Sequence, residues 1–330
     1  MASKGFGRRP LVGGALGALV PGALSTGANA QAWPNKPVKV TVTFPAGGLT
    51  DTWARVYSEY ASQKLGQSFI VDNKTGASGA IGAEMLAKAP PDGYNLMFTI
   101  STTMIMNKVL FKSLPYNPDK DFVPVAFFSA GHLPLIVHKD VPAKNIKEFV
   151  DFARKNKVSL GTYGAGSYSH VAVAELNKFF DLKMEAVHYR GEAPMWQDVA
   201  SGAIHGGSGS YAAAAGVLQS GSGRAIAVPT STRMKKLPDV GTFLEQGVTA
   251  KGFQVQGWIG AFYQTGTPAE IVEKLSALFV EAGKTERIQK MLDTFGIDDA
   301  ARDHKYMRKM IDEEGPVWME LVRGLGITPQ

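Results

Sequence analysis

From Val38 to Phe44 the residues alternate with a period of two, Val-Lys-Val-Thr-Val-Thr-Phe, and the run stops at Pro45-Ala46-Gly47-Gly48. Beyond the stop, Trp53, Val56, Tyr57, Tyr60, Ala61 and Leu65 recur at helical spacing until Gly66. The first period marks a half-buried strand and the second an amphipathic helix. Thr50 and Asp51 are candidate caps for that helix, and Gly66 is its stop. The order then repeats, with a strand over 68–72 and a helix over 80–88. After the Pro91-Asp92-Gly93 turn a strand over 94–100 ends in Ser101-Thr102-Thr103. Strands and helices alternating at this spacing need crossover connections, which predicts an α/β fold built on a mostly parallel sheet.

The pattern restarts near Gly131-His132. Residues 133–137 are apolar, Ile146, Phe149, Val150 and Ala153 make a helix face, and 159–163 is a strand. Gly164-Ala165-Gly166-Ser167 then turns into a helix carrying Val171, Ala174, Leu176 and Phe179. Strands over 185–189, near Ile204 and over 224–228 alternate with helices over 194–201 and 211–220. A last strand, 258–263, runs into helices, the first opened by Thr267 as N-cap, Pro268 at the first helical residue and Glu270. One strand is too little for a third domain, so it is expected to complete the first sheet. This divides the chain into lobe 1, residues 33–132 plus 254–330, and lobe 2, residues 133–253.

Residues 1–32 read as an export signal. Lys4, Arg8 and Arg9 form a basic start, Leu11 to Val20 a short glycine-broken apolar stretch, and Ala28-Asn29-Ala30 and Ala30-Gln31-Ala32 two small-x-small cleavage sites. Arg8-Arg9 raises a twin-arginine route, against which Pro10 weighs. The apolar stretch is too short to cross about 30 Å of hydrocarbon, so the expectation is a soluble exported protein, cleaved near Ala30 or Ala32. The chain has no cysteine, which excludes disulfides, thiol nucleophiles and thiolate metal sites together. Its formal charge is +6, of which Lys4, Arg8 and Arg9 account for three, leaving +3. That is too little, and too scattered, for a nucleic-acid surface.

Two loops are built alike. Phe44 to Asp51 and Tyr163 to His170 each join the carboxyl end of a strand to the start of a helix, the edge where open α/β sheets bind ligands. Glycines let the backbone come close, the first-turn N–H groups lack helical partners, and the helix dipole favours an anion. A small carboxylate is the natural guest of two such starts. Tyr163, Tyr168 and Tyr211 fall in or beside glycine-rich turns, where they can wall a pocket.

Enzyme readings find less support. Gly207-Ser208-Gly209-Ser210-Tyr211-Ala212 fits G-x-G-x-x-A, but no acid stands about twenty residues on, where a dinucleotide's ribose needs one. There is no phosphate loop, no H-E-x-x-H and no G-x-S-x-G. Ser167 and His170 have no orienting acid nearby, and the six histidines have no metal-ligand spacing. No catalytic residue, metal or cofactor is therefore expected.

Taken in order, further runs resemble one known family. They are Trp33-Pro34-Asn35-Lys36-Pro37-Val38, Phe44-Pro45-Ala46-Gly47-Gly48 with Asp51, Asp72-Asn73-Lys74-Thr75-Gly76, and Pro91-Asp92-Gly93-Tyr94. Leu114-Pro115-Tyr116, Gly161-Thr162-Tyr163-Gly164-Ala165-Gly166-Ser167 with His170, Tyr189-Arg190-Gly191, Leu237-Pro238-Asp239-Val240 and Gly266-Thr267-Pro268 follow. Together they resemble the Bug-type periplasmic receptors of tripartite tricarboxylate transporters. The resemblance implies a two-lobed flytrap fold and no enzymatic activity. It also implies a carboxylate gripped, partly through water, by Phe44, Ala46, Gly47, Gly48 and Asp51 on one side and Tyr163, Gly166, Ser167 and Tyr168 on the other. Ser101 and Thr102 match a further pocket loop, and Gly209 and Tyr211 flank the site. The implied partners are integral membrane permease subunits, with the receptor a monomer. A sensor that presents its loaded form to a membrane signalling kinase is the alternative. The sequence departs from the family pattern at Ala46, Met104 and Arg190, and at Gly209, where the family has an acid. Without that acid the site is expected to disfavour an ammonium group and to leave room for a larger ligand.

Overall fold

Val38, Val40 and Val42 are fully buried in the strand that their alternation predicts, β1 (Val38–Val42). The computed structural model describes residues 33–229 and 232–330, so the expected export leader lies outside the described residues. After β1 come α1 (Leu49–Leu65), β2 (Phe69–Asn73), α2 (Ala80–Ala87), β3 (Asn95–Ile100), a short α3 (Asn107–Leu110) and β4 (Phe122–Ser129). Next are β5 (Leu135–His138), α4 (Ile146–Ala153), β6 (Ser159–Thr162), α5 (Tyr168–Phe180) and β7 (Glu185–His188). Then follow α6 (Glu192–Ser201), β8 (Gly206–Ser208), α7 (Tyr211–Gln219) and β9 (Gly223–Ala227). The chain closes with β10 (Trp258–Gln264), α8 (Ala269–Ala282), α9 (Glu286–Phe295), β11 (Arg302–Asp303) and α10 (His304–Arg323).

These strands form two sheets, ordered β11-β4-β10-β3-β1-β2 and β7-β6-β8-β5-β9. The α/β architecture is as expected, but the sheets are mixed rather than mostly parallel. β1 runs parallel to β2 and β3, and β6 parallel to β7 and β8. β10 is antiparallel to β3 and β4, and β5 antiparallel to β8 and β9. Crossover helices impose parallel pairing only along an unbroken strand–helix–strand run. β5 and β10 arrive from the other sheet, so no crossover sets their direction.

Two strands lack a strand-like sequence. β4 contains Pro124, and the register shifts there so that Ala261 faces Ala126 while Phe262 faces Pro124. β11 pairs only with Phe127 and Ala126, so the residue without an N–H sits at a bulge on an open edge. β8 begins at Gly206 rather than near Ile204. A Cβ on Gly206 would lie 2.4 Å from the Ile136 carbonyl oxygen, and one on Gly207 3.2 Å from Met195 Sδ. Close packing removes the side chains that would have marked the strand.

Helices cover both faces of the first sheet. Val40, Phe98 and Phe128 pack with Trp53 and Tyr57 of α1 and Phe279 of α8. On the other face Met97 and Phe262 pack with Ala83 of α2 and Trp318 of α10, in a cluster that runs on to Leu135, Leu160 and Tyr168 around the second sheet. The start of α8 differs from expectation. Pro268 is its N-cap, and its carbonyl accepts from Ile271 N–H. The Thr267 hydroxyl donates back to the Gln264 carbonyl instead.

Candidate functional site

The loop between β1 and α1 is exposed from Pro45 to Gly48, with Phe44 half-buried behind it. Gly47 has φ +80° with no atom near its absent Cβ, so conformation rather than crowding calls for glycine there. Gly48 is the N-cap of α1, which moves the helix start ahead of Thr50 and Asp51. Asp51 instead reaches back from the first turn, and its Oδ2 accepts from Gly47 N–H at 2.9 Å and Arg55 Nε at 3.0 Å. Oδ1 accepts from Asn73 Nδ2 at 3.0 Å, and that amide also donates to the Phe44 carbonyl at 2.9 Å. Burial raises the Asp51 pKa, but Arg55, the Gly47 N–H and Asn73 outweigh it and hold the carboxyl below its ordinary value. Asp51 therefore braces the loop with its charge already committed. The first helical bond runs from Thr52 N–H to the Gly48 carbonyl, so the N–H groups of Leu49, Thr50 and Asp51 have no carbonyl partner within the helix.

Behind this loop Phe44 meets the start of α2. A Cβ on Gly79 would lie 3.3 Å from the Phe44 ring and 2.2 Å from Thr103 Oγ1. Ser101-Thr102-Thr103 is not a loop. Ser101 is already helical, and Thr102–Met106 is a π-helical turn leading into α3. Thr102 Oγ1 turns inward to Met106 Sδ, and Thr103 Oγ1 donates to the Ser78 carbonyl. Ser101 is buried.

In the second sheet the parallel strands β6, β7 and β8 end along one edge, and α5, α6 and α7 begin there. The β6–α5 loop is closed by its own bonds. Gly166 N–H donates to His170 Nδ1 at 3.1 Å, Ser167 Oγ to the Gly164 carbonyl at 2.6 Å, and Tyr163 N–H to Ser169 Oγ at 3.1 Å. Gly166, at φ +72°, rests on the first sheet's α3, where a Cβ would come within 2.5 Å of Leu110. Helix bonding starts from Val171 N–H to the Ser167 carbonyl, so the N–H groups of Tyr168, Ser169 and His170 lack a helical carbonyl. Burial, and next the Glu192 charge, push the Tyr163 phenol up, while the N–H groups of Ser169 and Tyr168 beside it pull it down. The Tyr163 hydroxyl thus lies at the start of α5. Tyr168 is different. Its ring is buried and packs edge-on against Trp318, and its hydroxyl has no partner among the described residues. The His170 and His188 rings stand 4.5 Å apart. Burial and His188 push the His170 pKa down to about 4, which keeps Nδ1 free to accept.

At the third strand end, Gly209 is buried and Tyr211 opens α7. Glu192, the first residue of α6, sends its carboxylate to Ser210, taking the N–H at 3.1 Å and the hydroxyl at 2.6 Å on Oε2. A Cβ on Gly209 would lie 3.2 Å from Glu192 Cδ and 2.9 Å from Trp196 Cζ2. The expected loss of an acid here is thus corrected, because a carboxyl from another helix fills the space that Gly209 leaves. Glu192 escaped the sequence reading because an acid in a first helical turn reads as an ordinary dipole partner. Tyr211 lines a cavity of about 320 Å³ that reaches Asp293, Thr294 and Phe295 on α9. Phe295 packs against Trp53 of α1 at 5.7 Å. Among the described residues no cluster of three acids or histidines can hold a metal, and no helix is long and apolar enough to cross a membrane.

Residues 53–327 match the family model of the tripartite tricarboxylate transporter family receptor. A Rhodopseudomonas palustris protein solved with adipate superposes with a TM-score of 0.83 at 28% identity, covering 90% of this chain and 100% of its own. MatC from Rhodopseudomonas palustris, with bound malate, gives 0.77 at 30% identity over 88% of this chain and 100% of its own. The periplasmic binding protein BugD gives 0.79 at 29% identity over 90% of this chain and 100% of its own.

Proposed function

The chain belongs to the tripartite tricarboxylate transporter receptor family, a family of solute-binding proteins, and from that membership we propose that it captures a small carboxylate and delivers it to membrane permease subunits. The observation that carries this reading is the pair of helix starts. α1 and α5 each follow a glycine-bearing loop at a strand's carboxyl end, and each has three first-turn N–H groups without a helical carbonyl partner, two of those on α5 lying beside the Tyr163 hydroxyl. Such a start attracts an anion through aligned donors and the helix dipole together. Similar proteins hold adipate and malate, so carboxylates suit this architecture. We place the ligand between lobe 1, residues 33–132 plus 254–330, and lobe 2, residues 133–253. In this reading the grip comes from backbone N–H groups, since Asp51 and Ser167 are engaged within their own loops. The protein acts as a periplasmic monomer without catalysis, after its leader is removed near Ala30 or Ala32.

Thermal unfolding with a panel of mono-, di- and aromatic carboxylates against the matching amides tests this. A ligand present at a hundred times its dissociation constant stabilises the native state by about 2.7 kcal/mol. Carboxylates are expected to raise the melting temperature and amides to leave it unchanged. Equal stabilisation by the amides would overturn the anion site.

A further inference from the structure

We propose that Glu192 sets which carboxylates this protein accepts, favouring a solute with one carboxylate and a hydrogen-bond donor at its far end over a dicarboxylate. This inference rests on the carboxylate reading above and refines it.

The start of α7 offers an anion the N–H and hydroxyl of Ser210, and this chain fills that place with its own carboxylate. Oε1 of Glu192 accepts from Ser210 N–H at 3.2 Å, while Oε2 shares that N–H at 3.1 Å and takes the hydroxyl at 2.6 Å. The carboxyl stands over Gly209 with Trp196 beside it, so a side chain at residue 209 would displace it. Burial pushes the Glu192 pKa up, the N–H and hydroxyl of Ser210 and the Trp196 indole pull it down, and none of these groups is cationic. No cation pairs with the carboxylate, whose hydrogen-bond partners are the neutral dipoles of Ser210. A carboxylate can accept about four hydrogen bonds, and Ser210 supplies only two donors, so capacity remains for a donor from outside.

Glu192 also belongs to the site. Its charge reaches the Tyr163 phenol, which lies by the first-turn N–H groups of α5. It is neither sealed off nor fully exposed. A solute carboxylate drawn to the α5 start therefore has a fixed negative charge within electrostatic range. In a poorly screened site a second carboxylate directed there meets like-charge repulsion, whereas a hydroxyl or ammonium group meets an acceptor. Adipate and malate carry two carboxylates, so the proteins that hold them are the natural contrast.

Calorimetric titration of hexanoate, its ω-hydroxy and ω-amino derivatives and adipate, with shorter and longer homologues, tests the inference at constant reach. The wild type is expected to bind an ω-hydroxy or ω-amino acid at least about tenfold more tightly than the dicarboxylate of equal length. Glu192→Gln keeps the shape and removes the charge, and is expected to move that ratio by about tenfold or more toward the dicarboxylate. If Glu192→Gln unfolds too readily to titrate, Glu192→Ser reads the same ratio. A wild type that prefers the dicarboxylate, or a ratio unchanged in the variant, overturns the role of Glu192 and leaves the carboxylate reading standing. If no carboxylate of the series binds while a neutral amide does, the carboxylate reading falls and this inference with it.

Discussion

Gly47 and Gly48 are adjacent in sequence and do different things. Gly47 holds φ +80° with open space where a Cβ would go, whereas Gly48 sits at φ −79°, a value any residue adopts, with Pro45 O 3.4 Å from its virtual Cβ. A side chain at Gly47 therefore costs backbone strain and little else, about 1–2 kcal/mol for the left-handed conformation. Gly47→Ala is expected to lower the unfolding free energy read from a urea titration by that amount, and Gly48→Ala to change it by no more than about 0.5 kcal/mol. Equal losses in the two variants would show that the loop is held by crowding instead. The sequence displayed both glycines without distinguishing them, because φ is set by how the chain joins β1 to α1. Gly166 adds a second lesson. Its φ of +72° and its contact with Leu110 both exclude a side chain, and only the first is a local property.

At the scale of elements, α5 carries the clearest pH dependence. His170, in its first turn, is pushed from 6.5 to about 4 by burial and by His188, and His188 itself is lowered by burial. A histidine with a depressed folded pKa resists protonation in the native state, so the unfolded chain takes up the proton first. Its contribution is complete above pH 6.5 and is lost as the pH falls toward about 4. With partial exposure screening the group, the loss amounts to about 1–2 kcal/mol. Denaturant midpoints at pH 7 and at about pH 4.5, where Asp51 stays ionised, are expected to show that decline in the wild type and a smaller one in His170→Gln. An equal decline in both would assign it to other groups. The helix itself was readable from Val171, Leu176 and the glycine-rich turn before it. The Gly166–His170 bond was not, since it depends on where the ring points once α5 packs.

For the molecule as a whole the decisive element is β10. It lies between β3 and β4, pairing with residues 97–100 on one side and 122–129 on the other. Until the chain returns from the second sheet, the first has a gap where its most buried strand belongs, since all seven β10 residues are buried. Contacts this distant in sequence form late and hold the two sheets to one folding event. A fragment of residues 33–250, which has every strand of the second sheet but lacks β10, is expected to lose the cooperative transition of the full chain. Near-ultraviolet circular dichroism through a urea titration reads this directly. A sharp transition in the fragment would mean that the first sheet closes without its central strand.

The periodicities decided the element types, the α/β class and the glycine-bearing strand ends, because these depend on residues a few places apart. Val38 to Phe44, Trp53 to Leu65 and Trp258 to Tyr263 needed nothing beyond their own neighbours. What depended on packing was hidden. Pro124 sits in a strand because a bulge and a short neighbour spare its missing N–H. Gly206 and Gly207 form a strand because Ile136 and Met195 leave no room for side chains. The Tyr168 ring meets Trp318 of the last helix, a contact that no local spacing shows. Only the tertiary structure brought Glu192 to Gly209 and Ser210, since β6, β7 and β8 must pair in parallel before three helix starts can share one edge. The charge that we infer selects the solute is local in space and distant in sequence.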